Sequence, residues 1–240
     1  MVEGFGMSLV RKFAKNLTKY YFCKENNKKP YKMPADTVTR AIADRVKEAK
    51  PGTVFFPGDF LELGSPEAIH TTLSRLVEAE QLLRIAKGIY LKPQIDPELG
   101  LIKPSLEQLA RIIAERDKVV IRPTGAYALN RLGLSTQVPM RVVFLTNGNP
   151  KHIKVGKGTL VFQKTTPKQL AVKQEVIFLA IQALITLKVQ AEDPEVIRQL
   201  TEVLAQQQPT DIREAAKLAP QRVARILYGI AENIEKNDHG

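Results

Sequence analysis

Apolar positions fall into two registers, one helical and one alternating, and together they divide the chain into elements. Val38, Ile42 and Val46 recur every four residues, which predicts a helix opened by Asp36 or Thr37, running to about Ala49 and stopped by Pro51-Gly52. Thr53 to Phe56 reads as a short strand, Asp59 opens a short helix, and Gly64 marks a tight turn. Ser65 can accept a hydrogen bond from one of the free N–H groups at a helix start, and Pro66 fits the first helical position, where its missing N–H costs nothing. Beyond it Ile69, Leu73, Leu76 and Val77 share one face. The opposite face carries Thr71, Ser74, Arg75 and Glu78, bordered by Glu67 and His70. Two strand-like runs, Leu82-Leu83-Arg84-Ile85 and Ile89-Tyr90-Leu91-Lys92, flank the turn Ala86-Lys87-Gly88. Helix, tight turn, second helix and basic hairpin in succession read as a winged helix-turn-helix over residues 36–95.

Pro93, Pro97, Gly100 and Pro104 crowd one segment and mark a domain boundary. Ser105 and Gln108 then have capping-box spacing, and Leu106, Leu109, Ile112 and Ile113 line one face of the helix they open. Strands are predicted at 118–122 and 140–146, a short helix at 125–132 closed by Gly133, and a hairpin joining 151–155 to 159–165 around Gly156-Lys157-Gly158. From Lys168 the pattern is helical, over roughly 168–188, 193–207, 210–218 and 220–236. At the front Leu9, Phe13, Leu17 and Tyr20 or Tyr21 have helical spacing, with Lys and Arg on the outer face. The expected architecture is α+β. A basic N-terminal arm (1–35) precedes the winged helix-turn-helix (36–95), and a basic α/β domain ending in a C-terminal helical segment follows (104–236).

Charge changes this picture more than any other aspect of composition. The chain carries a net charge of +11, and it is unevenly spread. Residues 1–32 hold eight Lys or Arg against two Glu, and residues 118–168 hold nine Lys or Arg and no acid, whereas 187–240 is slightly acidic. Such a distribution points to a polyanionic partner. Small hydroxyls and a long cation on the exposed side of the second helix suit contact with phosphates and base edges. The set expected at DNA is therefore Ser65, His70, Thr71, Ser74 and Arg75 on the helix, with Arg84 and Lys87, and also Lys92, making the hairpin cationic. In the second domain Arg122, Arg131, Arg141, Lys151, Lys154 and Lys157 form a candidate basic interaction face. Helix-turn-helix shapes also mediate protein contacts. The alternative reading is thus an interaction module whose basic middle domain binds an acidic partner, with the winged helix as scaffold.

The middle of the chain resembles the AbiEi-type antitoxins. The resemblance is carried by Arg122-Pro123-Thr124-Gly125-Ala126-Tyr127-Ala128-Leu129-Asn130-Arg131-Leu132-Gly133-Leu134-Ser135-Thr136-Gln137-Val138-Pro139, followed by Val143-Phe144-Leu145-Thr146-Asn147-Gly148. Upstream, Gly88-Ile89-Tyr90 matches the Gly-x-Tyr wing of that family, and the likeness spans about residues 36–185. It implies a type IV antitoxin that represses its own operon by binding inverted repeats in promoter DNA. It also implies opposition to a nucleotidyltransferase-like toxin through a positively charged second domain.

Other chemistry finds no support in the residues. Gly156-Lys157-Gly158-Thr159 lacks the earlier glycine and the Gly-Lys-Ser/Thr ending of a phosphate loop. His70, His152 and His239 are scattered and Cys23 is the single cysteine, which excludes an internal disulfide and a cysteine-based metal cage. No carboxylates lie within 118–168 to hold a catalytic metal. Asp211 to Tyr228 has the outline of a second helix-turn-helix exposing Arg222 and Arg225, but ordinary helical packing explains it better. The expectation is a non-enzymatic protein without cofactor. The longest apolar run, Val176 to Leu187, is too short to span a bilayer, and with no secretory signal the protein is expected in the cytoplasm.

Overall fold

The structure is a computed structural model and describes residues 35–238. Residues 1–34 of the expected arm (1–35), and His239 and Gly240, lie outside the described residues. The fold is mixed α+β, and the chain divides between Lys103 and Pro104 into two compact units.

In the first unit the four-residue repeat of Val38, Ile42 and Val46 forms α1 (Ala35–Glu48), with all three side chains buried. A two-residue strand β1 (Val54–Phe55) and a 3-10 turn (Pro57–Phe60) lead to α2 (Pro66–Glu78). Ser65 caps α2 as its position predicts, accepting from the Ala68 N–H at 3.3 Å. Gly64 is required by packing, since a Cβ there would lie 2.9 Å from both methyls of Val38. Strands β2 (Leu83–Ala86) and β3 (Ile89–Leu91) form an antiparallel hairpin, and β1 pairs with β3 to give the order β1-β3-β2. Phe55, Phe60, Ile69, Leu73, Leu82 and Tyr90 join the three α1 residues in one core. The proline-rich segment that marks the domain boundary also makes a second hairpin, β4 (Gln94–Asp96) with β5 (Gly100–Ile102). Its Pro97 sits in the turn, where the Asp96 carboxylate accepts from the Glu98 and Leu99 N–H groups at 2.9 Å.

In the second unit Ser105 and Gln108 close the expected capping box at the start of α3 (Leu106–Asp117). The next strand begins later than expected. Lys118 takes a left-handed conformation that ends α3, and β6 runs over Ile121–Thr124. A short α4 (Ala126–Arg131) precedes β7 (Arg141–Thr146), and β8 (Lys151–Val155) forms a hairpin with β9 (Gly158–Lys164). The sheet order is β6-β7-β9-β8, with β7 and β9 parallel and the other pairs antiparallel. α3 packs on β9, where a Cβ on Gly158 would meet the Leu106 side chain at 2.9 Å.

The helical tail is more broken than its apolar pattern implies. It comprises α5 (Pro167–Leu170), α6 (Glu175–Leu187), a 3-10 turn (Lys188–Glu192), α7 (Pro194–Leu204), α8 (Pro209–Ala216) and α9 (Gln221–Asp238). Buried Ile177, Phe178, Ile181, Leu184, Leu200, Leu204, Ile212, Leu227 and Ile230 form its core, joined by Leu145 from the sheet. α6 therefore lies over the sheet face opposite α3, on the β6 side. Among the described residues no helix is long and apolar enough to cross a membrane.

Candidate nucleic-acid interface

The exposed side of α2 follows from how its other side is buried. Ile69, Thr72, Leu73 and Leu76 face the core, which leaves Glu67, His70, Thr71, Ser74, Arg75 and Glu78 exposed at spacings of three and four. Thr72 is the residue that its polar type hides, although its position is in phase with the buried face. It is 2% exposed, and its hydroxyl pairs with that of Thr39 on α1 at 3.1 Å, so a polar contact ties the two helices together. Thr71 donates its hydroxyl proton to the Glu67 carbonyl at 2.8 Å, which leaves its oxygen lone pairs outward. The side chains of His70, Ser74 and Arg75 are exposed and make no hydrogen bond or ion pair among the described residues. Ser65 is half-buried and occupied as the cap, so its part in the site is to hold the helix start.

Arg84 on β2 and Lys87 in the hairpin turn are exposed cations, likewise without an acidic partner among the described residues. Lys92 is not one of them. Its ammonium donates to the carbonyls of Lys47 and Ala49 at 2.7 and 2.6 Å, so it satisfies the open C-terminal end of α1. The 3-10 turn is fixed from α1 as well. The Arg45 guanidinium donates to the Asp59 carbonyl at 2.9 Å, pairs with Glu62 at 2.7 Å and lies over the Phe60 ring at 5.3 Å. These anchors orient α2 and escape sequence reasoning because they join residues distant in sequence.

The six cations expected to form one face of the second unit do not do so. Arg131 pairs with Glu107 at 2.7 Å and with Glu175 at 3.5 Å, and Lys151 pairs with Asp117. All three acids come from helices flanking the acid-free segment, Glu107 and Asp117 on α3 and Glu175 on α6. Burial works to raise the Glu107 carboxyl, but hydrogen bonds from Tyr127 and Arg111 and the charges of Arg131 and Arg111 bring it below its ordinary value. For Asp117 burial again opposes, and bonds from Lys151 and Arg116 prevail, so its carboxyl is also lowered. Arg122 is half-buried with its guanidinium 4.3 Å from the Phe178 ring centre, and its Nε and Nη2 are buried without acceptors. Burial lowers its pKa, and the Glu175 charge opposes the shift. Arg141, Lys154 and Lys157 alone of the six are exposed cations without an ion pair among the described residues.

Arg222 donates to the carbonyls of Lys188 and, at 3.2 Å, Leu184, so it caps the end of α6 rather than lying free. A cleft of about 360 Å³ in the second unit is lined by Asn147, Gly148 and Asn149 over Ile113, Val119 and Phe162, with the Asp117–Lys151 pair neutralised within it. No group of three or more His, Cys, Asp or Glu among the described residues is arranged to hold a metal ion.

No curated protein matches the chain. Among solved structures, the crystal structure of the RV2827C protein from Mycobacterium tuberculosis is similar at 14% identity, over 83% of this chain and 82% of that one, with a TM-score of 0.39. That likeness is too loose to bear on fold or function. Residues 41–212 match the model of a family of unknown function, DUF6088, which takes in most of both units from within α1 to α8, and the chain belongs to that family.

Proposed function

We propose that this protein is a sequence-specific DNA-binding transcriptional repressor, with α1, the 3-10 turn, α2 and the β2–β3 hairpin acting as a winged helix-turn-helix. The observation that carries the reading is the exposed side of α2. There Ser74 and Arg75 stand without partners among the described residues on a helix whose opposite side is fully packed, and the unpaired cations Arg84 and Lys87 follow directly. A helix held this way presents its side chains to the major groove without having to break internal bonds first. Arg75, Ser74, Thr71 and His70 contact base edges and phosphates, and Arg84 and Lys87 hold the flanking backbone. The resemblance to AbiEi-type antitoxins extends the proposal. The repressed promoter is the protein's own, the sites are inverted repeats, and the operon partner is a nucleotidyltransferase-like toxin. The protein acts in the cytoplasm without catalysis.

Two substitutions test the assigned division of labour. Arg75→Ala is expected to cost about 1–3 kcal/mol on the preferred duplex and to relax discrimination at one base position. Lys87→Ala is expected to weaken all sequences alike and to flatten the salt dependence by about one unit of slope. Equal losses from both substitutions on every sequence would contradict the assignment.

A further inference from the structure

The three of the six candidate cations that are left exposed and without an ion pair among the described residues are placed by the sheet and its hairpin turn. Arg141 on β7 lies opposite Thr159 on β9, which lies opposite Lys154 on β8. Residues directly opposite one another project from the same face, so the three side chains form one row across three strands. Strand spacing of about 4.8 Å places the two cations about 10 Å apart at the backbone. β6 ends opposite Val143, so Arg141 projects beyond it, away from the part of this face that α6 covers. His152 is exposed two residues along β8 from Lys154, on the same face, and Lys157 is exposed in the turn that closes the β8–β9 hairpin. Lys151 belongs to the opposite face by alternation, where its Asp117 partner holds it.

The row differs from the neutralised cations around it in two ways. Its members have no carboxylate partner among the described residues, whereas Arg131 and Lys151 in the same segment both do. At its centre stands the hydroxyl of Thr159 rather than an aromatic or large apolar side chain, so it lacks the buried anchor on which protein interfaces depend. Cations and hydroxyls at fixed spacing, without an apolar centre, suit a phosphate backbone, which is held by charge and hydrogen bonds and needs no apolar pocket.

We infer that Arg141, Lys154 and Lys157, with Thr159 between the first two, form a second DNA-contacting surface that grips the phosphate backbone of the duplex without reading its sequence. The inference deepens the repressor reading and rests on it for the identity of the duplex. It assigns the second unit a share of affinity and none of specificity. Three phosphates neutralised there contribute about 2.7 units of salt slope, which is about a 40-fold difference in affinity between 50 and 200 mM salt.

The test uses the full chain and two duplexes of equal length, one from the DNA upstream of its gene and one shuffled, titrated from about 50 to 200 mM salt. The triple substitution R141A, K154A, K157A is expected to lower the slope by roughly two to three units on both duplexes and to leave their affinity ratio unchanged. The charge-keeping set R141K, K154R, K157R is expected to retain the slope. An unchanged slope in the alanine variant overturns the inference, and so does equal loss in both variants, since that loss would not follow charge. A wild-type chain that binds both duplexes equally would defeat the repressor reading instead, and the slope on shuffled DNA would still decide whether the row holds phosphates.

Discussion

The exposed side of α2 and the basic segment around the β7–β9 sheet both invite a reading as binding surfaces, yet only the first was laid out by local sequence. On α2 the buried and exposed positions are set by a period of 3.6 residues and one cap, all within fourteen residues. In the second unit, by contrast, the segment 118–168 contains no acid of its own, but the fold brings Glu107, Asp117 and Glu175 onto Arg131 and Lys151. Strand alternation then sets Lys151 on one face of the sheet and Arg141 and Lys154 on the other. A count of charges along a chain therefore describes a surface only where both the charges and their counter-charges lie on the same element. Net charge speaks to solubility and partners, while the geometry of a face belongs to tertiary structure.

Three changes break or sharpen this contrast. The largest effect is expected from Leu73→Ala, which removes a fully buried side chain from beneath the α2 surface. It should cost about 2–5 kcal/mol, read as loss of the first unit's structure in urea unfolding, with the second unit unaffected. Loss of less than about 1 kcal/mol would mean that the packed side of α2 is not what holds its exposed side in place. Ser65→Ala is expected to cost about 1 kcal/mol by leaving the Ala68 N–H without its cap, and Ser65→Asp should restore most of it. A local determinant of this kind predicts rescue by any good capping side chain, and failure of the aspartate to rescue would contradict it.

Glu107→Gln probes the opposite, non-local case and carries the smallest effect. Its pairs with Arg131 and Arg111 are partly exposed and screened, so the loss at neutral pH should be at most about 1 kcal/mol. The carboxyl is held below its ordinary value of 4.5 in the folded protein. Its contribution is therefore present above pH 4.5 and fades as the pH falls through the lower folded value. Stability curves of wild type and Glu107→Gln should be separated at neutral pH and converge in acid. Parallel curves down to the acid limit would show that the Glu107 network does not titrate as described.

Much of the first unit was legible because its signals are local. Ser65, Pro66 and Gly64 announce the turn and the helix start, and Ser105 with Gln108 announces α3. The features that escaped depend on distant partners or compete with a stronger local cue. Lys92 reads as an exposed cation of the hairpin, but the open carbonyls at the end of α1 lie within its reach. Thr72 is polar by type and buried by packing, because Thr39 supplies the bond that makes burial affordable. The β4–β5 hairpin was hidden by Pro93, Pro97 and Gly100, whose usual meaning is an unstructured connection; strands of three residues are too short to display alternation. Arg122 looks like a surface cation within a basic run, and only the tertiary fold places Phe178 beneath it.

The most direct test of the repressor reading is the affinity of the full chain for the DNA upstream of its own gene against a shuffled duplex, at matched salt. A preference of roughly 10³-fold or more, reduced by about 1–3 kcal/mol on Arg75→Ala, is the predicted result. Equal and steeply salt-dependent binding to both duplexes would contradict it, leaving a basic protein that does not read sequence through α2.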